Sequence, residues 1–461
     1  MGLNLTVRRD PSLLTADRTR TPQNTVIVRD RPAGAGQSVL VAGLAAILIF
    51  AVLAFGSVEQ WAIAILEIGC ALLLLAWIWP EISSGHLQLR ASRLYAPVVL
   101  FGLIIVAQVV FSLSAYVHAT RFELWKYASY GSLFLIANQC EREGTHRFLT
   151  ILAAFGFIVA LFSLVQYLTY DGKIYWVWPA LPNSFGPYAD HNHYAGLMEM
   201  LTPIPLAMAL TEGARRHQQL LWMLASILMA ATIFVCGSRG GMIAFAVQIV
   251  FLAGWFVTQR SRRTAWTLLA TCLLISAFVL WIGKGRVLER LDSLWVPLTN
   301  AGVTSRLAIA RDLPRMVRDR PIAGWGLGLF PIIYPQYRSF STDLIVNQAH
   351  NDYLQVLVET GVLGFACVLW FIVNLYRAGI RNCRAHCRVA TVRALGPLVG
   401  CTGILVHSFS EFNLHIPANA ALFFVLCGIA SGPQNTRSPE ESDRKWFRRF
   451  TILLRDPSGR R

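Results

Sequence analysis

The segment 348–364 places a histidine and two short polar side chains directly before a long apolar stretch. The apolar residues that follow recur at helical spacing, which predicts a helix that begins near His350. Asn351 or Asp352 is suited to cap this helix, because a short side-chain oxygen accepts hydrogen bonds from the first free backbone N–H groups. At such a helix start, His350 could transfer a proton or hold an anion, or it could be an interfacial residue without chemistry.

Arg239 is a second candidate, in the tight turn Ser238-Arg239-Gly240-Gly241 between two apolar stretches. No acidic residue lies near it in the sequence, although a cation at a membrane boundary carries a desolvation cost that a partner usually offsets. The adjacent glycines allow another chain segment or a ligand to approach closely. The turn therefore suits either an anionic ligand or an arginine whose side chain only reaches toward the membrane surface.

Arg306 is a third candidate, at the start of a stretch with helical periodicity, 305–320. On a helical wheel, one face of this stretch is apolar and consists of Ile309, Ala310, Leu313, Met316 and Val317. Arg306 falls in the middle of that face. The opposite face carries Arg311, Arg315 and Arg318. An arginine that points inward requires an anion, so the pattern favours a binding role for Arg306, although Pro314 weakens the assumption of one regular helix.

His193 belongs to a polar segment, 183–196, that also contains Asp190 and His191. A His-x-His pair beside an acid could hold a metal ion, but no further ligands are evident and the pattern is weak. The segment follows aromatic residues that are typical of a membrane interface. We therefore favour a loop that lines a substrate site, with His193 as a substrate-binding residue, and predict neither a metal site nor a cofactor.

The composition indicates a membrane protein. The chain is 55% hydrophobic and only 14% charged, with a mean hydropathy of +0.50. Its apolar runs have the length needed to cross a hydrocarbon core of about 30 Å, for which a helix takes about 20 residues. Helices are expected because backbone polar groups in lipid must be satisfied within the segment. We predict an all-α integral membrane protein with about 12 transmembrane helices: 38–56, 61–80, 94–113, 124–138, 148–169, 193–210, 219–235, 240–258, 264–282, 355–376, 394–410 and 417–432.

The distribution of basic residues predicts the orientation. Most of the 41 Lys and Arg residues lie in the two tails and in alternate connecting segments, and the short segments 55–60 and 411–416 contain none. Because positive charge is retained inside, both termini are assigned to the cytoplasm (N-in, C-in). The net charge of +16 is attributed to this bias and to contact with anionic membrane lipids, and not to binding of nucleic acid.

Three regions are predicted along the chain. Residues 1–37 are basic and lack an apolar core, so they form a disordered cytoplasmic tail and not a signal peptide. Residues 38–432 form the polytopic membrane domain, which includes one long helical periplasmic loop, 283–354, between spans 9 and 10. Residues 433–461 combine apolar and basic side chains, which predicts a cytoplasmic amphipathic helix on the inner leaflet.

Taken together, these features resemble the O-antigen ligase and polymerase family of bacterial envelope glycan assembly. The resemblance covers about residues 190–415. The motif that contributes most to it is His350-Asn351, followed by nine residues, Gly361, two residues and Gly364. Each part of the pattern is unspecific alone, whereas the combination is specific.

Three further features support the resemblance: the turn 238–241, the inward-facing Arg306 and the glycine-rich stretch 321–330. A series of spans with one long periplasmic loop late in the chain is also similar to that family, whose fold is GT-C-like. An aromatic residue that commonly follows the loop arginine by four positions is replaced here by Ala310.

The resemblance implies a glycosyltransferase in the bacterial inner membrane, with its active site facing the periplasm. The donor would be a glycan linked to undecaprenyl diphosphate, and neither metal nor cofactor would take part. Arg239 and Arg306 would bind the diphosphate, and His350 would act as general base on the acceptor hydroxyl. One displacement would invert the anomeric centre. Asn351 would orient His350 or cap its helix, and it is also assigned to substrate binding.

Three functions remain open. An O-antigen ligase would transfer a finished glycan to lipid A–core, whereas a polymerase would join lipid-linked repeat units of O-antigen, capsule or exopolysaccharide. One dominant outer loop favours the ligase, because two comparable loops would have favoured a polymerase. A twelve-span transporter is the alternative of another class. Such proteins often show two similar halves and a central cytoplasmic loop, and neither is visible in this sequence.

Overall fold

The computed structural model of the protein describes residues 35–83, 86–210, 216–258, 301–341, 345–384, 388–432 and 449–453, together with Leu274. The helices are α1 (Ala35–Leu53), α2 (Gln60–Ser83), α3 (Tyr95–Val110), α4 (Val117–Gln139), α5 (Arg142–Leu168), α6 (His191–Leu201), α7 (Pro203–Leu210), α8 (Arg216–Val235), α9 (Arg239–Thr258), α10 (Ala301–Asp319), α11 (Phe330–Ile333), α12 (Asp352–Cys383), α13 (Arg388–His407) and α14 (Pro417–Ser431). Short 3-10 turns lie at Phe55–Ser57, Tyr334–Gln336 and Asn413–His415. Two antiparallel pairs are formed by the strands β1 (His86–Arg90) with β4 (Arg449–Leu453) and β2 (Lys173–Ile174) with β3 (Trp178–Pro179).

Six of the described helices are long and apolar enough to cross a membrane: α1, α2, α5, α8, α9 and α12. The apolar helices α3, α13 and α14 are shorter. This architecture agrees with the predicted class of an all-α membrane protein, whereas the count of about 12 spans and the orientation stay predictions. Several predicted segments lie outside the described residues: the N-terminal tail up to residue 34, the ninth span, 264–282, apart from Leu274, residues 283–300 of the long loop, and most of the C-terminal tail.

The sixth predicted span, 193–210, is divided between α6 and α7. Pro203 and Pro205 have no backbone N–H, so the hydrogen-bond ladder is interrupted where α7 begins. The predicted span is therefore covered by two consecutive helices that meet at Thr202.

The interior is organised around α13 and α14. Helix α14 is buried along nearly its whole length, as expected for a helix with apolar residues on every face, and it packs against α1, α4, α12 and α13. Helix α13 also packs against α6, α7 and α9. The segment 408–416 joins α13 to α14, and its 3-10 turn contacts α6 and α12. Helices that are distant in sequence therefore meet at this segment.

The predicted helix of the long outer loop is present as α10, and it continues through Pro314. Its apolar face is buried at Ile309, Leu313 and Met316. Its opposite face is exposed at Arg311, Arg315 and Arg318. The division into an apolar and a basic face that the helical wheel predicts is thus confirmed. The buried face packs against Phe330 and Tyr334 in a small hydrophobic core of its own.

Helix α12 is kinked at Gly361, where φ is +65° and ψ is −170°. The glycine-rich stretch 321–330 packs into this kink, and a Cβ at Gly361 would lie 2.2 Å from the carbonyl oxygen of Ile322. The buried Glu359 carboxylate accepts hydrogen bonds from the same stretch, including one from Gly328 N at 2.9 Å. A glycine at position 361 is therefore required by packing and by backbone conformation.

The predicted amphipathic helix of the C-terminal tail, 433–461, is not found at Arg449–Leu453. These residues form β4 and pair with β1. The β-branched Thr451 and Ile452 favour an extended strand, because branched side chains fit a pleated surface better than a helix. The prediction is corrected for these five residues, and the other residues of the tail lie outside the described ranges.

Candidate active site

A buried carboxylate, Glu411, lies at the centre of a polar cluster in the segment 408–416. Its side chain is 3% exposed. Its Oε2 accepts a hydrogen bond from His350 Nδ1 at 3.0 Å, and its Oε1 accepts one from Asn192 Nδ2 at 2.9 Å. The guanidinium of Arg306 forms a salt bridge with Oε1. Side chains from three separate parts of the chain therefore converge on one anion.

The pKa of Glu411 results from opposing effects. Burial alone raises the pKa of this carboxyl, but the hydrogen bond from His350 and the positive charge of Arg306 outweigh burial and lower the pKa to about 2. Glu411 is therefore ionised at neutral pH. A buried carboxylate of this kind depends on its partners, because removal of one leaves an uncompensated charge.

His350 immediately precedes the N-cap of α12 and has a left-handed backbone, with φ at +50°. Few residues other than glycine adopt this conformation, and such outliers are common at functional sites. The ionised Glu411 accepts the Nδ1 proton, so the neutral imidazole is held as the tautomer with an unprotonated Nε2. Nε2 has no hydrogen-bond partner among the described residues. The ring is 31% exposed, so this nitrogen is accessible to a proton donor.

Asn351 caps α12, as the sequence predicts. Its Oδ1 accepts a hydrogen bond from Leu354 N at 3.0 Å, and its Nδ2 donates to the carbonyl oxygen of Phe409 at 3.0 Å. The amide thus ties the start of α12 to the segment 408–416. Asn351 positions His350 through the backbone, and a contact of Asn351 with substrate stays a prediction.

Arg306 has a protein anion as its partner. Besides the salt bridge to Glu411, its Nη1 donates to the carbonyl oxygen of Ser410 at 3.0 Å. The inward-facing arginine that the sequence predicts is therefore present, and Glu411 compensates its charge. The side chain is 38% exposed, and a guanidinium carries five N–H groups, so donors remain for a further acceptor.

Arg239 is the first residue of α9 and has no hydrogen bond or ion pair with any described residue. The preceding Ser238 donates from Oγ to Asn192 Oδ1 at 2.7 Å. The following Gly240 packs on the segment 408–416, because a Cβ there would lie 2.9 Å from Ser410 Oγ. These contacts hold the turn 238–241 beside the cluster. Arg239 is thus a cation without an anionic partner in the described part of the chain, and it lies at a helix N-terminus, where the backbone also favours anions.

His193 is buried beside the cluster and has no polar partner for its Nε2 among the described residues. Its ring meets Phe412 edge-on at 4.7 Å, and the ring of His350 meets the same phenylalanine at 5.0 Å. Asp190 caps α6 by accepting from Asn192 N at 2.7 Å. Within the described ranges, no three His, Cys, Asp or Glu side chains are grouped to hold a metal ion. Packing on Phe412 therefore places His193 close to His350.

Two members of the cluster, Glu411 and Asn192, are not evident from the sequence alone. The available signal for Glu411 is an acidic residue in a short predicted outer segment, 411–416, that contains neither Lys nor Arg. The signal for Asn192 is only its place between two histidines. Their roles become visible when α6 and the segment 408–416 are seen in contact.

Comparison with known proteins gives a match for the central part of the chain. Residues 224–369 match the family model described as O-antigen ligase. This part of the chain is similar to the O-antigen ligase family. We call the matched residues 224–369 the O-antigen ligase segment. It contains Arg239, Arg306 and His350, whereas Glu411 and His193 lie outside it. The predicted resemblance to this family is thereby confirmed. Comparison with curated proteins gave no match.

Proposed function

We propose that the protein is an O-antigen ligase-like glycosyltransferase, which transfers a glycan from undecaprenyl diphosphate to a periplasmic acceptor such as lipid A–core. The observation that supports this most directly is the cluster at Glu411, in which His350 Nε2 has no hydrogen-bond partner within the described ranges. Beside it stands Arg239, a cation without a partner among the described residues. A base next to such a cation suits transfer of a sugar away from a phosphorylated leaving group.

His350 is the general base in this proposal. Its Nε2 takes the proton of the acceptor hydroxyl while that oxygen attacks the anomeric carbon of the donor sugar. The bond between this carbon and the diphosphate oxygen breaks, and the diphosphate leaves with the electron pair. Glu411 remains ionised and stabilises the imidazolium, as the acid does in a Ser-His-Asp triad. A single displacement inverts the anomeric centre.

Arg239 and Arg306 contribute differently to binding of the diphosphate. Arg239 is the principal ligand, because no described anion compensates its charge. Arg306 shares its charge with Glu411 and supplies the N–H groups that Glu411 and Ser410 leave free. Charge builds on the leaving diphosphate as the glycosidic bond breaks, and guanidinium groups stabilise it through charge-assisted hydrogen bonds. We propose no role for a metal ion in this step.

A polymerase of O-antigen, capsule or exopolysaccharide would use the same donor chemistry and would differ in its acceptor. We favour the ligase because one outer loop, which contains α10 and α11, dominates the predicted outer surface. The cluster at Glu411 serves either acceptor equally well. The identity of the acceptor is therefore the property to test.

We further propose that the chain crosses the inner membrane of the bacterial cell about 12 times, with both termini in the cytoplasm. In this topology Arg239, Arg306, His350 and Glu411 all lie toward the periplasm. Their convergence supports the topology, because residues assigned to opposite sides of a membrane could not share one site.

The experiment that tests the proposed function is a glycan profile of the host envelope after deletion of the gene. Lipid A-linked, carrier-linked and secreted glycans are separated and measured. We expect bare lipid A–core, with long polymer retained on the lipid carrier, and restoration by the wild-type gene. Single repeat units without long polymer would identify a polymerase. An unchanged profile would contradict both activities.

A further inference from the structure

Glu199 and His407 form a second carboxylate–imidazole pair, deep between α6 and α13. Both side chains are completely buried, and His407 Nδ1 lies 2.8 Å from Glu199 Oε1. Burial of two ionisable groups carries a desolvation penalty that an apolar pair would not have. The proposed reaction makes no use of this pair, so its presence calls for another explanation.

A chain of hydrogen bonds leads from this pair to the cluster at Glu411. His407 Nε2 lies 3.5 Å from Ser238 Oγ, which is the longest link. Ser238 Oγ donates to Asn192 Oδ1 at 2.7 Å, and Asn192 Nδ2 donates to Glu411 Oε1 at 2.9 Å. The interior of the helix bundle is thereby connected to the carboxylate that holds the general base.

The donors along this chain run in one direction. Ser238 Oγ accepts a hydrogen bond from Gly241 N at 3.1 Å and gives its only proton to Asn192. The remaining contact of Ser238 is therefore a donation from His407 Nε2. The 2.8 Å contact of His407 with Glu199 then holds one further proton. The pair as a whole is neutral, which suits its complete burial.

The same pair supports the turn that carries Arg239. A Cβ at Gly240 would lie 2.5 Å from His407 Nε2, and a Cβ at Gly241 would lie 3.1 Å from Glu199 Oε1. The two glycines thus allow α9 to begin in direct contact with both members of the pair. The backbone position of Arg239 is consequently set by this contact.

We propose that His407 and Glu199 are positioning residues for glycan transfer, an inference that rests on the function proposed above. They touch neither donor nor acceptor. Through Ser238 and Asn192 they fix the orientation of the Glu411 carboxylate, and so the direction of the general base. Through the two glycines of the turn they fix the start of α9, from which the principal diphosphate ligand projects.

Two amide substitutions separate the two hydrogen bonds of His407. In His407→Gln the amide nitrogen replaces Nε2, so the link to Ser238 is kept and the contact with Glu199 is lost. In His407→Asn the amide nitrogen replaces Nδ1, so the contact with Glu199 is kept and the link to Ser238 is lost. The kcat for transfer from a lipid-linked glycan and the melting temperature are measured on each purified full-length variant.

We expect kcat to fall in one variant and the melting temperature to fall in the other. His407→Asn should keep a melting temperature close to that of the wild type but lose about tenfold in kcat, as for loss of one hydrogen bond in a site. His407→Gln should melt at a lower temperature, with a kcat within about threefold of the wild type. Equal kcat values per folded molecule in the two variants would indicate a purely structural pair and overturn the inference.

Ser238→Ala tests the same link if an amide variant does not fold, because it leaves the buried pair intact. It should lower kcat about as much as His407→Asn, and combining the two should lower kcat no further. The control is Thr402→Val, because Thr402 lies on α13 like His407. This substitution removes a hydrogen bond of 2.9 Å from Tyr376 and should leave kcat unchanged. A wild-type protein without transfer activity would overturn the proposed function itself, whereas full activity of Ser238→Ala would overturn only the positioning role.

Discussion

At Glu411, one carboxylate serves two neighbours with different tasks. It accepts the Nδ1 proton of His350, and it forms a salt bridge with Arg306. The first contact selects the tautomer of the base. The second compensates the charge of Arg306, one of the two candidate diphosphate ligands. Beside the cluster, Arg239 has no anionic partner among the residues that the structure describes. Loss of Glu411 would disturb both the base and the balance of charge.

We predict that Glu411→Gln lowers the rate of glycan transfer at least about a hundredfold. The amide has the same size, but its NH2 group would face the N–H donors of Arg306, His350 or Asn192. The measurement is kcat of purified, folded protein. The matched control is Glu143→Gln, which removes an exposed ion pair with Arg147 and should not change kcat. A wild-type kcat in Glu411→Gln would show that His350 needs no carboxylate.

Alanine substitutions of arginines on the two faces of α10 should differ in their effect on glycan transfer. Arg306→Ala, like Arg239→Ala, should reduce transfer at least about a hundredfold while the protein remains inserted in the membrane. Arg311→Ala and Arg318→Ala remove exposed charges and should stay within about twofold of the wild type. Transfer is measured relative to the amount of inserted protein. If Arg311→Ala and Arg318→Ala reduced transfer as much as Arg306→Ala, the argument from the inward face of α10 would fail.

The sequence reveals the site residues to different degrees. His350 marks the start of a helical pattern, and Arg306 interrupts an apolar face, so both are visible from periodicity. Glu411 is not visible in this way, because its partners His350 and Arg306 lie 61 and 105 residues away. Contacts of this range depend on how helices pack, which local periodicity does not encode.

Among the elements, α12 depends most clearly on a single glycine. Gly361→Ala would place a side chain at a positive φ and against the backbone of Ile322, so we expect a loss of about 2 kcal/mol or more in the free energy of unfolding. The measurement is the melting temperature in detergent. Gly254→Ala, where a Cβ would meet open space in α9, is the control and should be neutral or slightly stabilising. Equal melting temperatures for the two variants would contradict the packing argument.

Helix positions follow closely from the sequence, because long apolar runs and helical periodicity are strong signals. Every predicted span except the ninth overlaps a described helix, and α10 buries the face that the wheel indicates. The interruption before Pro203 and the strand at Arg449–Leu453 were not predicted. The first depends on missing backbone donors within an apolar run, and the second depends on a partner strand near the other end of the chain.

For the whole molecule, the predicted topology has a direct test. Alkaline phosphatase is active only outside the cytoplasm, so a fusion after Phe340, in the long outer loop, should be active. A fusion after Arg461, at the C-terminus, should be inactive, and a fluorescent protein that folds only in the cytoplasm should give the reverse result. The opposite pattern would assign the cluster at Glu411 to the cytoplasmic side and contradict the proposed localisation.

For the whole molecule, composition predicts an integral membrane protein and motifs predict the resemblance to a family. Neither shows which residues complete the candidate active site. The O-antigen ligase segment covers residues 224–369, whereas Glu411 and Asn192 lie outside it. The site is completed by α6 and by the segment 408–416, which reach the family segment only in the folded chain. The complete site is therefore a property of the helix bundle and not of one continuous motif.

The most direct test of glycan transfer at this cluster uses purified wild-type protein and His350→Ala. Both are given a lipid-linked glycan donor, lipid A–core as acceptor, and EDTA to remove divalent ions. We expect the wild type to form the product with inversion at the anomeric carbon, and His350→Ala to stay folded but transfer at least about a hundredfold more slowly. Transfer by His350→Ala at the wild-type rate, or a requirement of the wild type for divalent ions, would contradict the proposed mechanism.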